Sequence, residues 1–334
     1  MSDILLAQPI LPEGFIDCSV GEPHIIRDTL LNILNIESCM PDVTWKDFVY
    51  PSPCGNPELV SYLEKKHGAP VVITNGAKQA LGASFYALNK MKKPFLGMKN
   101  PYWALIPPLA NLHDVHIKTS DPYRYDNFDS YLLLAPNNPD GSLDNLDHVS
   151  EHMKRYSKPF IHDGAYYTHN YIDSNQELKT YGDVQIFSMS KTLGLSSLRL
   201  GYAVCQNEEM YKHIQYYMEH MTVGVSNLSQ MFLMNIFNKL HFKLNDFENE
   251  CFLSLKENKK LVKGINPKIL EVPDNIEDIP GMFLWAKCND YEAFKKAKLY
   301  IINGEPFGNK DYVRINLGFT TNVMKDIVER INSI

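Results

Sequence analysis

Between residues 71 and 204 the chain repeats one unit, a short apolar run followed by a longer stretch with helical spacing. The runs fall at 71–74, 95–98, 115–118, 131–135, 160–162, 184–188 and 200–204. Runs this short read as strands buried on both faces, and strands alternating with helices build a mostly parallel sheet covered on both sides. The pattern predicts an α/β fold whose large domain is a doubly wound, mostly parallel seven-stranded sheet. Helices are expected at 76–89, directly after the first strand, and at 145–156.

After about Gly224 the rhythm changes. A long helical region at 226–262 precedes isolated strands at 282–287 and 312–317 and a last helix at 322–334, which predicts a smaller α+β domain. The expected division is an N-terminal arm and part of the small domain at 1–45, a large domain at 46–225 and a C-terminal small domain at 226–334. A chain of 334 residues is long enough for two such lobes. Residues 271–280, with prolines and acidic side chains, read as a surface loop.

Bulk composition narrows the partners. Lys and Arg number 33 against 39 Asp and Glu, with no block of five or more like charges, so nucleic acid is not an expected partner. The six cysteines are scattered without a C-x-x-C pair, as in a reducing compartment. No basic, apolar leader opens the sequence and no apolar run is long enough to span a bilayer, so the expectation is a soluble, cytoplasmic protein. His113 and His116 make a weak metal pair that reads more simply as structural, and no metal site is expected.

The chemistry concentrates at 188–201. Lys191 stands between Ser188, Ser190 and Thr192, just past the sixth apolar run, with Arg199 eight positions on. An amine at a strand's carboxyl end can condense with an aldehyde, and Ser188, Ser190 and Arg199 can hold a phosphate on the same molecule. That combination describes pyridoxal 5′-phosphate bound as a Schiff base. A surface loop with an ordinary lysine is the competing reading.

Other strand ends supply what such a cofactor needs. Asp163 can keep a pyridine nitrogen protonated, although Asp-Gly also makes ordinary turns. Tyr166 and Asn138 can reach the phenolic oxygen, and Tyr102 can stack on the ring or simply pack in the core. Gly76, Ala77 and Lys78 open a helix whose free N–H groups suit a phosphate. Arg314, inside an otherwise apolar strand, calls for a carboxylate partner from a substrate or from the chain itself.

In order and spacing, Gly76-Ala77-Lys78, Pro101-Tyr102, Asn138-Pro139-x-Gly141, Asp163-x-x-Tyr166, Ser188-x-x-Lys191 with Arg199, and Arg314 resemble fold type I pyridoxal phosphate enzymes, the aspartate aminotransferase superfamily. Pro136-Asn137-Asn138-Pro139-Asp140-Gly141, Ala165-Tyr166-Tyr167 and Leu284-Trp285-Ala286-Lys287-Cys288 resemble its alliinase and tryptophan aminotransferase-related branch, whereas 193–198 is closer to histidinol-phosphate aminotransferases. The resemblance implies that Gly21, in Gly21-Glu22-Pro23, lies over the substrate. It also implies that Tyr50 reaches the cofactor of a second subunit, making a homodimer with shared active sites.

The function expected on these grounds is amino transfer from an L-amino acid to a 2-oxo acid, with Lys191 as Schiff-base lysine and proton carrier. Trp103 and Tyr167 suggest an aromatic substrate. The alternatives are a C–S lyase of alliinase type, an amino-acid phosphate aminotransferase and a decarboxylase.

Overall fold

The computed structural model describes residues 10–123 and 127–334, so the first nine residues of the expected N-terminal arm lie outside it. The first third of the chain forms β1 (Ile16–Asp17), α1 (His24–Ile33), α2 (Pro57–His67), β2 (Val71–Thr74), α3 (Ala77–Lys90), β3 (Phe95–Met98), α4 (Ile106–Asn111) and β4 (His116–Thr119). The middle adds β5 (Ser130–Leu134), α5 (Leu146–Arg155), β6 (Phe160–Asp163), β7 (Val184–Ser188), the single turn α6 (Met189–Thr192), β8 (Gly201–Cys205) and α7 (Glu208–Thr222). The remainder is α8 (Asn227–Leu240), α9 (Leu244–Val262), β9 (Leu270–Glu271), β10 (Phe283–Cys288), α10 (Tyr291–Lys296), β11 (Leu299–Tyr300), β12 (Ile302–Asn303), β13 (Tyr312–Asn316) and α11 (Thr321–Asn332).

The seven expected strands pair into one sheet in the order β2-β8-β7-β6-β5-β3-β4. All neighbours are parallel except β8, which runs against both β2 and β7. Every residue of β2, β5, β6, β7 and β8 is buried, which explains their unbroken apolar runs. The edge strand β4 starts one residue later than expected because the Val115 amide is spent on Ala110 O, closing the turn after α4.

A second, four-stranded antiparallel sheet runs β12-β13-β10-β9. Its core includes Leu284, Val313, Ile315, Phe294 and Ile327, and Cys18 joins it from the N-terminal segment. There β1 pairs in parallel with β11. The buried side chains of α1, by contrast, pack into the larger core. Leu233, Ile236, Phe247 and Leu255, from α8 and α9, also belong to the larger core, while Val262 at the end of α9 belongs to the smaller one. The long helical region is broken at His241–Lys243 by a turn of 3-10 helix.

Close approach fixes where α3 begins. A Cβ on Gly201 would lie 2.6 Å from Ala77 N and 2.7 Å from Phe187 O, so only glycine lets β8 pass this near the start of α3 and the end of β7. Gly201→Ala is therefore expected to cost about 1–3 kcal/mol through overpacking. Urea denaturation measures it, and an unchanged midpoint would contradict the crowding described.

Candidate active site

Because β2 and the parallel strands β5, β6 and β7 point the same way, their carboxyl ends meet at one edge of the sheet, where the amino end of antiparallel β8 also arrives. A cavity of about 310 Å³ opens there, walled in part by Gly21, Glu22, Asn138, Asp163, Lys191 and Arg314. Crevices at strand ends of such sheets are where ligands bind.

Ser188 ends β7 and Lys191 sits in the turn of α6 that follows. The lysine Nζ donates to Gly21 O, and its backbone carbonyl accepts from Tyr171 OH at 2.8 Å. Burial lowers its pKa to about 8, with Arg314 and Arg199 adding to the effect and Glu22 opposing it. Gly21 has little room for a side chain, since a Cβ would lie 3.2 Å from the Phe283 ring and 3.4 Å from Lys191 Nζ.

At the opposite wall, Asp163 ends β6 and accepts from Ala165 N at 3.1 Å. Burial raises its pKa to about 6, and no cationic side chain pairs with it among the described residues. Tyr166 is buried edge-on to Phe283 and Tyr171, and burial raises its phenol pKa well above the ordinary value.

The α3 amino terminus, Arg199 and two serines form a third corner. Gly76 caps the 14-residue α3 at φ 78°, and a Cβ there would come within 2.6 Å of Arg199 Nη2. Arg199 itself has φ 51° and donates from Nη1 to Ser196 O at 2.8 Å. Ala77, Lys78, Ser188 and Ser190 complete the corner. Partial burial and the Arg199 charge lower the pKa of the Lys78 amine, which lies 5.6 Å from the Trp103 ring centre.

Arg314 is buried in β13 with no carboxylate bonded to it among the described residues. It donates from Nη1 to Asn138 Oδ1 at 2.9 Å and from Nη2 to Ser19 O, and its Nε has no partner. The guanidinium lies over the rings of Phe283 and Phe307, at 4.3 and 4.9 Å. Burial lowers its pKa to about 10.

Most residues singled out in the sequence thus line one cavity. Tyr50 does not; it is 87% exposed. Tyr102 is not on the cavity wall, where the neighbouring aromatic is Trp103; Asn137 Nδ2 holds Pro101 O at 2.9 Å just before them. Tyr167 requires a correction: it points away from the site, edge-on to His162 and Tyr181, because Tyr166 and Tyr167 turn to opposite sides of the segment after β6. Glu22, Leu81 and Ser196 also line the cavity. Sequence reasoning passed over them, although Glu22 stands beside a residue it named.

Residues 65–259, more than half of the chain, match the family model of allinase. The chain belongs to the alliinase family. Tryptophan aminotransferase-related protein 3 of Arabidopsis thaliana is 26% identical over 74% of this chain and 60% of its own length. Alliin lyase 1 of Allium sativum is 23% identical over 72% of this chain and 51% of its own length. The chain thus spans between about half and 60% of these relatives. The aspartate aminotransferase of Thermus thermophilus with maleate superposes with a TM-score of 0.76 at 16% identity, covering 96% of this chain and 91% of that one. That of Thermotoga maritima gives 0.73 at 18% identity, with the same coverage of each chain.

This alliinase-family chain has the fold type I architecture of pyridoxal phosphate enzymes, and the cavity fits that cofactor. An amine shifted toward its neutral form shares the cavity with a buried carboxylate that pairs with no cation among the described residues, and a glycine-opened helix terminus lies beside an arginine and two serines. The amine makes a pH prediction. The uncharged form is the nucleophile and burial favours it, so the rate at which cofactor-free protein captures pyridoxal phosphate should rise through about pH 8 and then level. Stopped-flow absorbance measures this; a rate still climbing at pH 10 would mean an ordinary lysine.

Proposed function

We propose that this protein is an aminotransferase that moves the amino group of an L-amino acid to a 2-oxo acid. The observation that carries the reading is Arg314, a buried guanidinium with an unpaired Nε in the cavity that holds Lys191. An arginine desolvated without a carboxylate is costly unless a ligand supplies one, and an α-carboxylate matches its fork.

Pyridoxal phosphate, when bound, supplies an electron sink for charge developing at the substrate Cα. Lys191 provides the amine that binds the aldehyde, Asp163 a carboxylate for the pyridine nitrogen, and Tyr166 with Asn138 the donors to the phenolic oxygen. Ser188, Ser190, Arg199 and the N–H groups of Ala77 and Lys78 hold the phosphate. Arg314 and Gly21 place the substrate so that its Cα–H faces Lys191. With a pKa of about 8, the Lys191 amine would take the Cα proton and hold it for return, as amino transfer requires. Trp103 offers a planar apolar wall to the substrate side chain, which favours an aromatic one.

The family match favours a second reading, cleavage of a C–S bond in a cysteine derivative, in which the same residues remove the same proton. Release of pyruvate and ammonia from an S-alkyl cysteine sulfoxide without an oxo-acid acceptor would replace amino transfer by that reaction. Amino transfer is instead expected to need both an amino donor and an oxo acid. Arg314→Ala should lower kcat/KM by about a hundredfold or more, through lost orientation. Lys191→Ala should lower kcat by about a thousandfold or more and abolish the visible absorption of the loaded protein.

A second copy of the chain completes the proposal. Trp45, Phe48, Val49 and Tyr50 are all more than half exposed in one short segment, an apolar surface that suits a subunit contact and leaves Tyr50 free to reach a partner's phosphate site. Tyr50→Ala and Lys191→Ala, each deficient alone, should regain activity when their subunits are exchanged, because the hybrid holds one intact site. Six unpaired cysteines support a cytoplasmic setting. No helix among the described residues is long and apolar enough to cross a membrane.

A further inference from the structure

A second cavity, of about 370 Å³, lies behind the lysine turn. The four-residue α6 is shared between the two: Ser190 and Lys191 line the first cavity, and Met189 and Thr192 line the second. Amino transfer as derived above uses nothing in the second.

Its walls are aromatic. Tyr62 stacks on Phe237 at 5.3 Å between α2 and α8, and Phe187 stacks on Tyr202 at 4.8 Å between β7 and β8. Two opposite charges stand at its sides. Glu248 of α9 is half-buried, and among the described residues it has neither a hydrogen bond nor an ion pair. Lys66 of α2 is close enough for the two to influence each other electrostatically, yet no ion pair joins them. Desolvation raises the Glu248 pKa, the cost of a carboxylate kept without a partner. The lining residues also carry polar atoms with no partner among the described residues: the hydroxyls of Thr168, which is 8% exposed, and Thr192, and Nδ1 of His169. Buried polar groups of this kind call for an external partner.

We propose that this cavity is a second binding site, distinct from the catalytic one, for an aromatic amino acid. Glu248 receives the ammonium, Lys66 the carboxylate, and the stacked rings take the planar side chain. A zwitterion answers two unpaired opposite charges at once, and an aromatic body fills walls of this shape. The site shares no lining residue with the first cavity, so it stands or falls independently of the reaction catalysed there.

The test is equilibrium dialysis of labelled L-phenylalanine, L-tyrosine and L-tryptophan against the cofactor-loaded protein after borohydride reduction, which fixes Lys191 and blocks exchange at the first site. At least one of the three is expected to bind at one saturable site per chain. Its affinity should fall at least tenfold in Glu248→Gln and in Lys66→Met, and stay unchanged in Arg314→Ala. Thermal midpoints within a few degrees of the parent show that the variants are folded, and Thr168→Val serves as a second probe should either charge variant unfold. Absence of saturable binding by all three amino acids overturns the proposal, as does binding that survives the cavity substitutions or disappears with Arg314→Ala. A chain that takes up no cofactor would sink the catalytic reading alone, and the same dialysis on untreated Arg314→Ala protein would still decide this one.

Discussion

The site is organised around a guanidinium to which no carboxylate among the described residues is bonded. Arg314 emerges from the small sheet, bonds Asn138 at the end of a large-sheet strand and Ser19 in the N-terminal segment, and rests on Phe283 and Phe307. Those contacts hold the side chain without neutralising it. Burial lowers the Lys191 pKa to about 8, and the positive field of Arg314 adds to that shift. One desolvated charge thus offers a carboxylate anchor and adds to the effect of burial on the lysine, two things a Cα-deprotonating enzyme needs. The two hydrophobic cores on either side bear its cost.

Strand direction does the rest. An antiparallel β8 inserted between β2 and β7 brings Arg199, which precedes it, to the same edge as the residues that follow β2, β6 and β7. Were β8 parallel to them, Arg199 would lie at the far side of the sheet. Glycines at 76 and 201 then let helix, strand and guanidinium approach more closely than any side chain would permit.

Much of this was legible because strand ends leave a local mark: an apolar run, then a polar residue where the run stops. Asp163, Asn138, Ser188 and Lys191 carry that mark, and all four line the cavity. Arg314 was legible for the opposite reason, as a charge where only apolar residues belong. What escaped was set by distant packing. Glu22 and Ser196 meet across 174 positions of sequence, and nothing local foretells it. Tyr166 and Tyr167 are adjacent in sequence, and only the path of the segment after β6 separates the cavity they serve. The break between α8 and α9 has no proline or glycine to announce it. By contrast, α7 was overlooked despite a readable start, with Asn207 accepting from Met210 N and two glutamates in the first turn.

The short segment that presents the Gly21 carbonyl to Lys191 is tethered at both ends, to different cores. Before it, β1 is stitched to β11 beside the small sheet; after it, α1 buries its side chains in the larger core. The segment around Gly21 is thus one of the places where the chain passes from one core to the other, as α9 is later in the sequence. Its hydrogen bond to Lys191 ties that passage between the cores to the amine of the cavity.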